Sequence, residues 1–145
     1  MAPKLYIAGP LFSVSEKTFN RQLKESLSPF LSVYLPQEDG ELLADLVAAG
    51  EDAAKSMARI FDCDLQAIRE ADVLLLVMDG RVPDEGGCFE LGVAYAIGKT
   101  CIGLQTDVRR LLPVGNNPML AGALAHTFST IDEVVTWAST RFGMR

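Results

Sequence analysis

A near-continuous run of apolar residues at positions 73–78 (VLLLVM) constrains the fold of this chain more than any other feature. Such a run is typical of a central strand in a parallel sheet, where helices cover both faces. It is followed by a turn rich in Gly, Pro and Asp at 82–87 and then by a small-residue helical segment that ends near Gly98. The three segments predict a β–loop–α unit. In an open parallel sheet, the loop after the carboxyl end of a strand lies where ligands bind.

Strand-like and helix-like segments alternate along the whole chain. We predict strands at 4–8, 32–35, 73–78, 100–104 and 127–129, and helices from Ser13 or Ser15 to Leu27, at 52–70, around Glu90, at 117–125 and at 131–142. The acidic segment at 37–51 predicts an irregular rim with a short amphipathic piece around Leu42, Leu43, Leu46 and Val47. This alternation predicts a single α/β domain, residues 1–145, with a flavodoxin-like, doubly wound parallel sheet of order 2-1-3-4-5. In that order strands 1 and 3 are neighbours, so the loops after both strands face one crevice.

The composition argues against several classes of function. The chain has 145 residues and a net charge of −6, and its basic residues are scattered, so we expect no nucleic-acid partner. No apolar run approaches the ~20 residues of a membrane helix, and the N-terminus lacks the regions of a signal peptide, so we expect no membrane association. Three cysteines without C-x-x-C spacing and a lone His126 suit a reducing cytoplasm and predict no metal. Dinucleotide and P-loop motifs are absent, and we expect no cofactor.

Two carboxylates fall on the apolar faces of predicted helices. Glu90 lies within a face formed by Phe89, Val93, Ala94 and Ile97, and Asp64 within a stripe formed by Met57, Ile60, Phe61, Leu65 and Ile68. Unpaired carboxylates are rarely buried, so both are candidates for chemistry. Each has a structural alternative: Glu90 complements the helix dipole from the first turn, and Asp64 is a helix-edge acid that reaches water.

A crevice that collects acids without metal ligands suggests carboxylate chemistry. In glycosidic cleavage, one carboxylate attacks the sugar and a second acid protonates the leaving group. The nucleophile must be ionised, which a position near a helix start favours, whereas the acid must keep its proton, which burial favours. Glu90 and Asp64 fit these two demands. Acidic crevices also bind cations or merely face solvent, so the pattern leaves these alternatives open.

Four motifs, in order along most of the chain, resemble those of the nucleoside 2-deoxyribosyltransferases. They are YIAGPLF at 6–12, the pair Asp64-Leu65 before Ala71-Asp72, PDEGGCFELG at 83–92 and NPML at 117–120. The resemblance implies a flavodoxin-like fold. It also implies an enzyme that moves 2-deoxyribose from one nucleobase to another by double displacement, through a covalent deoxyribosyl-Glu intermediate.

The resemblance also implies roles for individual residues. Glu90 would be the nucleophile, Tyr6 would hydrogen-bond and orient it, and Asp64 would be the acid/base for the departing and incoming base. Asp84 would hold the sugar hydroxyls and help to place the base. Asn117 would reach the site of a neighbouring subunit, which implies a homo-oligomer.

The remaining candidates are weaker. Gly9 and Asp79, which follow strands 1 and 3 at the ligand-binding edge, complete the predicted substrate-binding set. Asn117 is also a good helix cap before a proline, and the two roles are compatible. We expect Tyr34 and Tyr95 to be packing or rim residues.

Three functions remain possible on this sequence. The first is transfer of 2-deoxyribose between nucleobases, with a 2′-deoxynucleoside and a free base as small-molecule substrates. The second is hydrolysis of the N-glycosidic bond of a nucleoside or a nucleoside 5′-monophosphate, in which water meets the same intermediate. The third is a non-catalytic nucleotide-binding module, since fold does not fix function.

Overall fold

The carboxyl ends of five parallel strands form one edge of the sheet, in the computed structural model that describes residues 1–109 and 115–143. The strands are β1 Lys4–Ala8, β2 Ser32–Tyr34, β3 Val73–Val77, β4 Thr100–Leu104 and β5 His126–Phe128; the helices are α1 Val14–Leu27, α2 Pro36–Asp39, α3 Leu43–Ala48, α4 Ala53–Glu70, α5 Glu85–Ala96, α6 Pro118–Ala123 and α7 Ile131–Phe142. The order is β2-β1-β3-β4-β5, which confirms the predicted flavodoxin-like fold. Of the helices described, none has the length and apolar character needed to span a membrane.

The sheet is covered on both faces, as the apolar run of β3 requires. All five residues of β3 are buried. Alternate residues of β1 point to opposite faces: Leu5 and Ile7 pack with α1 and α7, whereas Tyr6 and Ala8 pack with α4 and α5. The side chain of Tyr6 therefore lies on the side of the sheet that carries both candidate carboxylates.

The rim segment at 37–51 is more regular than predicted. Pro36 begins the short helix α2, and α3 follows after a break at Gly40. None of the six residues of α3 is buried, although Leu43 lines a cavity together with Met57 and Ile60 of α4. The Arg59 guanidinium of α4 forms ion pairs with Glu41 at 2.7 Å and with Glu51 at 3.0 Å, one on each side of α3.

Two glycines allow α5 to approach the carboxyl ends of β1 and β3. Gly9, directly after β1, has a φ of +144°, a conformation that other residues rarely adopt. Gly87, in the first turn of α5, faces it closely: a Cβ there would lie 2.8 Å from Leu76 Cδ1 and 3.1 Å from the Gly9 nitrogen. The absence of a side chain at Gly87 therefore sets how near α5 lies to the sheet.

This close contact gives a prediction about stability. We expect Gly87→Ala to lower the free energy of unfolding by about 1–3 kcal/mol, because its methyl group overlaps Leu76. Gly92, in the same helix, has open space around its Cβ position, so Gly92→Ala should raise stability by about 0.5–1 kcal/mol. Urea denaturation of the two variants would measure this. Equal effects would contradict the packing argument.

Candidate active site

Tyr6 holds one oxygen of Glu90. Tyr6 is fully buried on β1, next to the central strand β3, and Glu90 lies in the second turn of α5. The Tyr6 hydroxyl donates a hydrogen bond of 2.8 Å to Glu90 Oε1. Burial, with the nearby Glu90 and Asp64 charges, keeps the pKa of Tyr6 well above its usual range. The hydroxyl is therefore a permanent donor to Glu90 at neutral pH.

A second tyrosine stands beside the first and reaches the second carboxylate. Tyr34 ends β2 and is in register with Tyr6 on β1. The two rings stack with centroids 5.4 Å apart and planes only 14° apart. The Tyr34 hydroxyl lies 3.5 Å from Asp64 Oδ1, at the long limit for a hydrogen bond. The stacking agrees with the predicted packing role of Tyr34, and the contact with Asp64 is a further one that the sequence does not predict.

Glu90 and Asp64 line one cavity of about 360 Å³. Glu90 comes from α5 and Asp64 from α4, and the volume lies within the range of small-ligand sites. The rest of the lining is almost entirely apolar: Leu43, Met57, Ile60, Phe61, Leu65, Ile68, Gly86 and Phe89. The structure therefore brings the two acids together beside an apolar surface, where both carboxylates are poorly solvated.

The helix faces differ from those predicted. In α5 the buried positions are Gly87, Leu91 and Ala94, whereas Phe89 is 56% exposed. In α4, Phe61 is 50% exposed rather than buried. Phe61 and Phe89 instead meet each other, with ring centroids 6.1 Å apart, on the wall of the cavity. Glu90 and Asp64 thus lie at the edges of the buried faces, and part of each predicted apolar face lines the cavity.

Burial shifts the pKa values of both acids upward. Burial raises the pKa of Glu90 to about 8, the Asp64 and Asp84 charges add to the rise, and the Tyr6 hydrogen bond opposes it. Burial raises the pKa of Asp64 to about 6, and the Tyr34 hydrogen bond opposes that rise. From a position near a helix start, the sequence predicts that Glu90 is the more readily ionised of the two acids. The order is reversed because burial and the Asp64 and Asp84 charges raise the pKa of Glu90 further than burial raises that of Asp64. Glu90 also lies beyond the first turn of α5, which begins at Glu85.

Asp84 and Asp79 lie on a second, larger cavity of about 780 Å³. Asp84 caps α5, since its Oδ2 accepts a 2.9 Å hydrogen bond from the Gly87 nitrogen. Asp79 Oδ1 accepts hydrogen bonds from the backbone nitrogens of Thr106 at 2.7 Å and Asp107 at 2.9 Å. These contacts join the end of β3 to the loop after β4, so Asp79 has a structural role that the sequence did not indicate.

The loop after β1 connects the two regions. A third cavity, of about 470 Å³, is lined by both Asp64 and Phe12, and Phe12 also lines the larger cavity with Asp84. Gly9 begins this loop. Asn117 lies elsewhere, on a cavity of about 380 Å³, where its side chain caps α6 through a 2.9 Å hydrogen bond from the Met119 nitrogen. The structure thus unites Tyr6, Asp64 and Glu90, and Asp84 lies on a cavity that meets the third cavity at Phe12 and is near enough for its charge to raise the pKa of Glu90.

Comparison with known proteins identifies relatives over most of the chain. The family model for nucleoside 2-deoxyribosyltransferase matches residues 5–138. Among curated proteins, no sequence gives a significant match.

Several solved structures share the fold. A conserved protein from Enterococcus faecalis V583 has a TM-score of 0.78 and 25% identity, covering 98% of this chain and 100% of its own. A 2-deoxyribosyltransferase from Bacillus psychrosaccharolyticus has a TM-score of 0.72 and 23% identity, with 91% and 90% covered. A CMP N-glycosidase from Clostridium botulinum is similar at a TM-score of 0.56 and 16% identity, with 92% and 96% covered.

Proposed function

Since the chain belongs to the nucleoside 2-deoxyribosyltransferase family, we propose that it transfers 2-deoxyribose between nucleobases. One observation carries this proposal more than any other. Glu90 and Asp64, from two different helices, line the same cavity, and a buried tyrosine holds Glu90 by one oxygen. Two carboxylic groups in one site, one to attack and one to move a proton, are what a double displacement at a glycosidic carbon requires.

The proposed reaction has two steps that use the same groups. In the first, Glu90 attacks C1′ of the deoxyribose, and the bond to the base breaks as Asp64 gives the base a proton. Tyr6 holds Oε1, which leaves Oε2 to form the bond to the sugar. In the second step, the incoming base attacks C1′ and loses its proton to Asp64, and Glu90 is released. Two displacements at one carbon retain its configuration.

Other residues complete the proposed site. The apolar wall with Phe61 and Phe89 offers the nucleobase a surface of matching character. Asp84, on the larger cavity, is proposed to bind the sugar hydroxyls. We further propose a homo-oligomer in which Asn117 completes the site of a neighbouring subunit, since Asn117 does not line the cavity of Glu90. We keep a cytoplasmic location as part of the same proposal.

The pKa values of the acid pair predict a bell-shaped pH dependence. Attack requires one proton on the pair: a doubly protonated pair has no nucleophile, and a doubly ionised pair has no acid. With pKa values of about 6 and about 8, the singly protonated pair is most populated near pH 7. Most of that pair carries its proton on Glu90. The reacting minority, with the proton on Asp64, has the same pH dependence because the two forms interconvert without gain or loss of a proton. We therefore expect kcat/KM to fall below about pH 6 and above about pH 8. A flat profile across this range would contradict control by these two groups.

An assay of base exchange tests the proposed function directly. The protein is incubated with deoxyadenosine or thymidine, with and without a second free base, and the products are separated by chromatography. A new nucleoside only in the tube with the second base supports the transferase. Release of free base to the same extent in both tubes would assign hydrolysis of the N-glycosidic bond instead. No product in either tube, across several deoxynucleosides, would contradict the proposal.

A further inference from the structure

We propose that Tyr34 is a positioning residue for Asp64, and that it fixes which oxygen of Asp64 carries the proton. The Tyr34 hydroxyl engages Oδ1, so that Oδ2 is the oxygen that delivers the proton to the departing base. Tyr34 would thus do for the acid what Tyr6 does for the nucleophile. This inference rests on the proposed function, because it assigns a role within that reaction.

The sheet fixes the direction of the Tyr34 ring. Tyr34 pairs in register with Tyr6 across β2 and β1, so both side chains emerge on the same face at the same height. Tyr6 is fully buried and bonded to Glu90, and the Tyr34 ring lies almost flat against it. A ring stacked on an immobile neighbour has little freedom to rotate, so its hydroxyl is held beside Asp64.

The space around the Tyr34 hydroxyl is adapted to this contact. A Cβ at Gly40 would lie 2.8 Å from the Pro36 carbonyl oxygen and 3.1 Å from the Tyr34 oxygen, so the glycine, which the Pro36 backbone requires first, also leaves the Tyr34 hydroxyl uncrowded. Cys63 Sγ lies 3.8 Å from the same hydroxyl. The Tyr34 hydroxyl has a single proton and can therefore donate only one hydrogen bond. The Cys63 thiol can act as a weak donor. The consistent arrangement is that Cys63 donates to Tyr34 and Tyr34 donates to Asp64.

Several charged or titratable groups surround Asp64 and Tyr34. They are Tyr6 of β1, Lys17 of α1, Asp39 of α2, Glu41 before α3, Cys63 of α4 and Glu90 of α5. Against this background, the Tyr34 hydrogen bond lowers the pKa of Asp64 while burial raises it. Loss of the hydroxyl should therefore raise the pKa of Asp64 further.

The two tyrosines should act on different limbs of the pH profile. Tyr6→Phe removes the donor to Glu90, whose pKa of about 8 governs the alkaline limb. Tyr34→Phe removes the donor to Asp64, whose pKa of about 6 governs the acidic limb. A residue that only packs would move neither limb selectively. This selectivity separates a positioning role from a structural one.

The deciding experiment compares Tyr34→Phe with Tyr95→Phe. Phenylalanine keeps the ring stack of Tyr34, and Tyr95 is a matched control because its side chain is 59% exposed on α5. We expect Tyr34→Phe to move the acidic limb of kcat/KM upward by about half a pH unit to one pH unit, the effect of one ordinary hydrogen bond. Tyr95→Phe should leave the profile unchanged. An unmoved acidic limb in Tyr34→Phe would overturn the proposal.

A second measurement makes the test independent of activity. The carboxyl carbon of Asp64 is titrated by NMR in the wild type and in Tyr34→Phe, with Asp64→Asn used to assign the signal. A higher titration midpoint in Tyr34→Phe supports the role of Tyr34 even if the protein exchanges no bases, in which case only the proposed function fails. An unchanged midpoint overturns the inference even if base exchange is observed.

Discussion

Glu90→Gln is expected to abolish base exchange, with kcat/KM reduced by about 1,000-fold or more. Glutamine has nearly the shape of glutamate and still accepts the hydrogen bond from Tyr6, but its amide oxygen is a poor nucleophile toward C1′. The covalent sugar–enzyme intermediate should also disappear. Intact-protein mass spectrometry of the wild type, quenched after mixing with a deoxynucleoside in the absence of an acceptor base, should show the added deoxyribosyl mass, and Glu90→Gln should not.

The same helix offers a matched control. Glu85 is an exposed acid in the first turn of α5, so Glu85→Gln should leave turnover within about twofold of the wild type. Undiminished exchange by Glu90→Gln would remove Glu90 from the mechanism.

Glu90→Gln should also change how stability depends on pH. Because the pKa of Glu90 is raised from 4.5 to about 8 in the folded protein, stability falls as the pH rises between those values, where Glu90 ionises in the unfolded chain but keeps its proton in the folded protein. The variant lacks that loss, so its melting temperature should exceed that of the wild type above pH 8 and approach it at pH 4.5 or below. This result would also show that the variant is folded.

Asp64→Asn is expected to have the second largest effect on turnover. Without a proton donor, the base must leave as an anion, and kcat/KM for natural deoxynucleosides should fall by about 100- to 10,000-fold. The loss should be far smaller for a 2-deoxyriboside whose leaving group is an acidic phenol, because such a group departs without protonation. The comparison therefore reports proton transfer rather than binding or folding.

Asp62→Asn is the control for this variant. Asp62 lies on the same helix, two residues away, with its side chain exposed to solvent. It should behave as the wild type with both kinds of substrate. If Asp64→Asn lost the same factor with the phenol as with the natural substrate, Asp64 would have another role, such as placing the sugar.

The fold follows from features that are local in the sequence. The apolar run of β3 requires cover on both faces, and the alternation of strands and helices then leaves few arrangements. The limits of the short strands were less exact, and β2, β3 and β5 each differ from prediction at one or both ends. In the rim segment, α3 lies where the sequence predicts a short amphipathic piece, whereas α2, a single turn that begins at Pro36, was not predicted.

The sequence predicted which residues form the candidate site better than it predicted the order of their pKa values. Helical spacing placed Asp64 and Glu90 on faces toward the sheet, and the structure places both on one cavity. The expected protonation order differs because the pKa of Glu90 depends on its burial in the assembled fold and on the Asp64 and Asp84 charges, which helical spacing does not specify. The contact of Tyr34 with Asp64 was not predicted because it depends on the register of β2 with β1, which is a property of the assembled sheet.

The stacked tyrosines have a consequence for how relatives of this protein can diverge. The separation of their backbones is the spacing between adjacent strands, which the hydrogen-bond ladder holds near ~4.8 Å and no single substitution can retune. The sheet therefore fixes the distance between the two tyrosines beneath the reacting groups. Changes in the size or chemistry of the accepted base must come from the wall above it, where half-exposed side chains such as Phe61 and Phe89 can be exchanged without disturbing the strands.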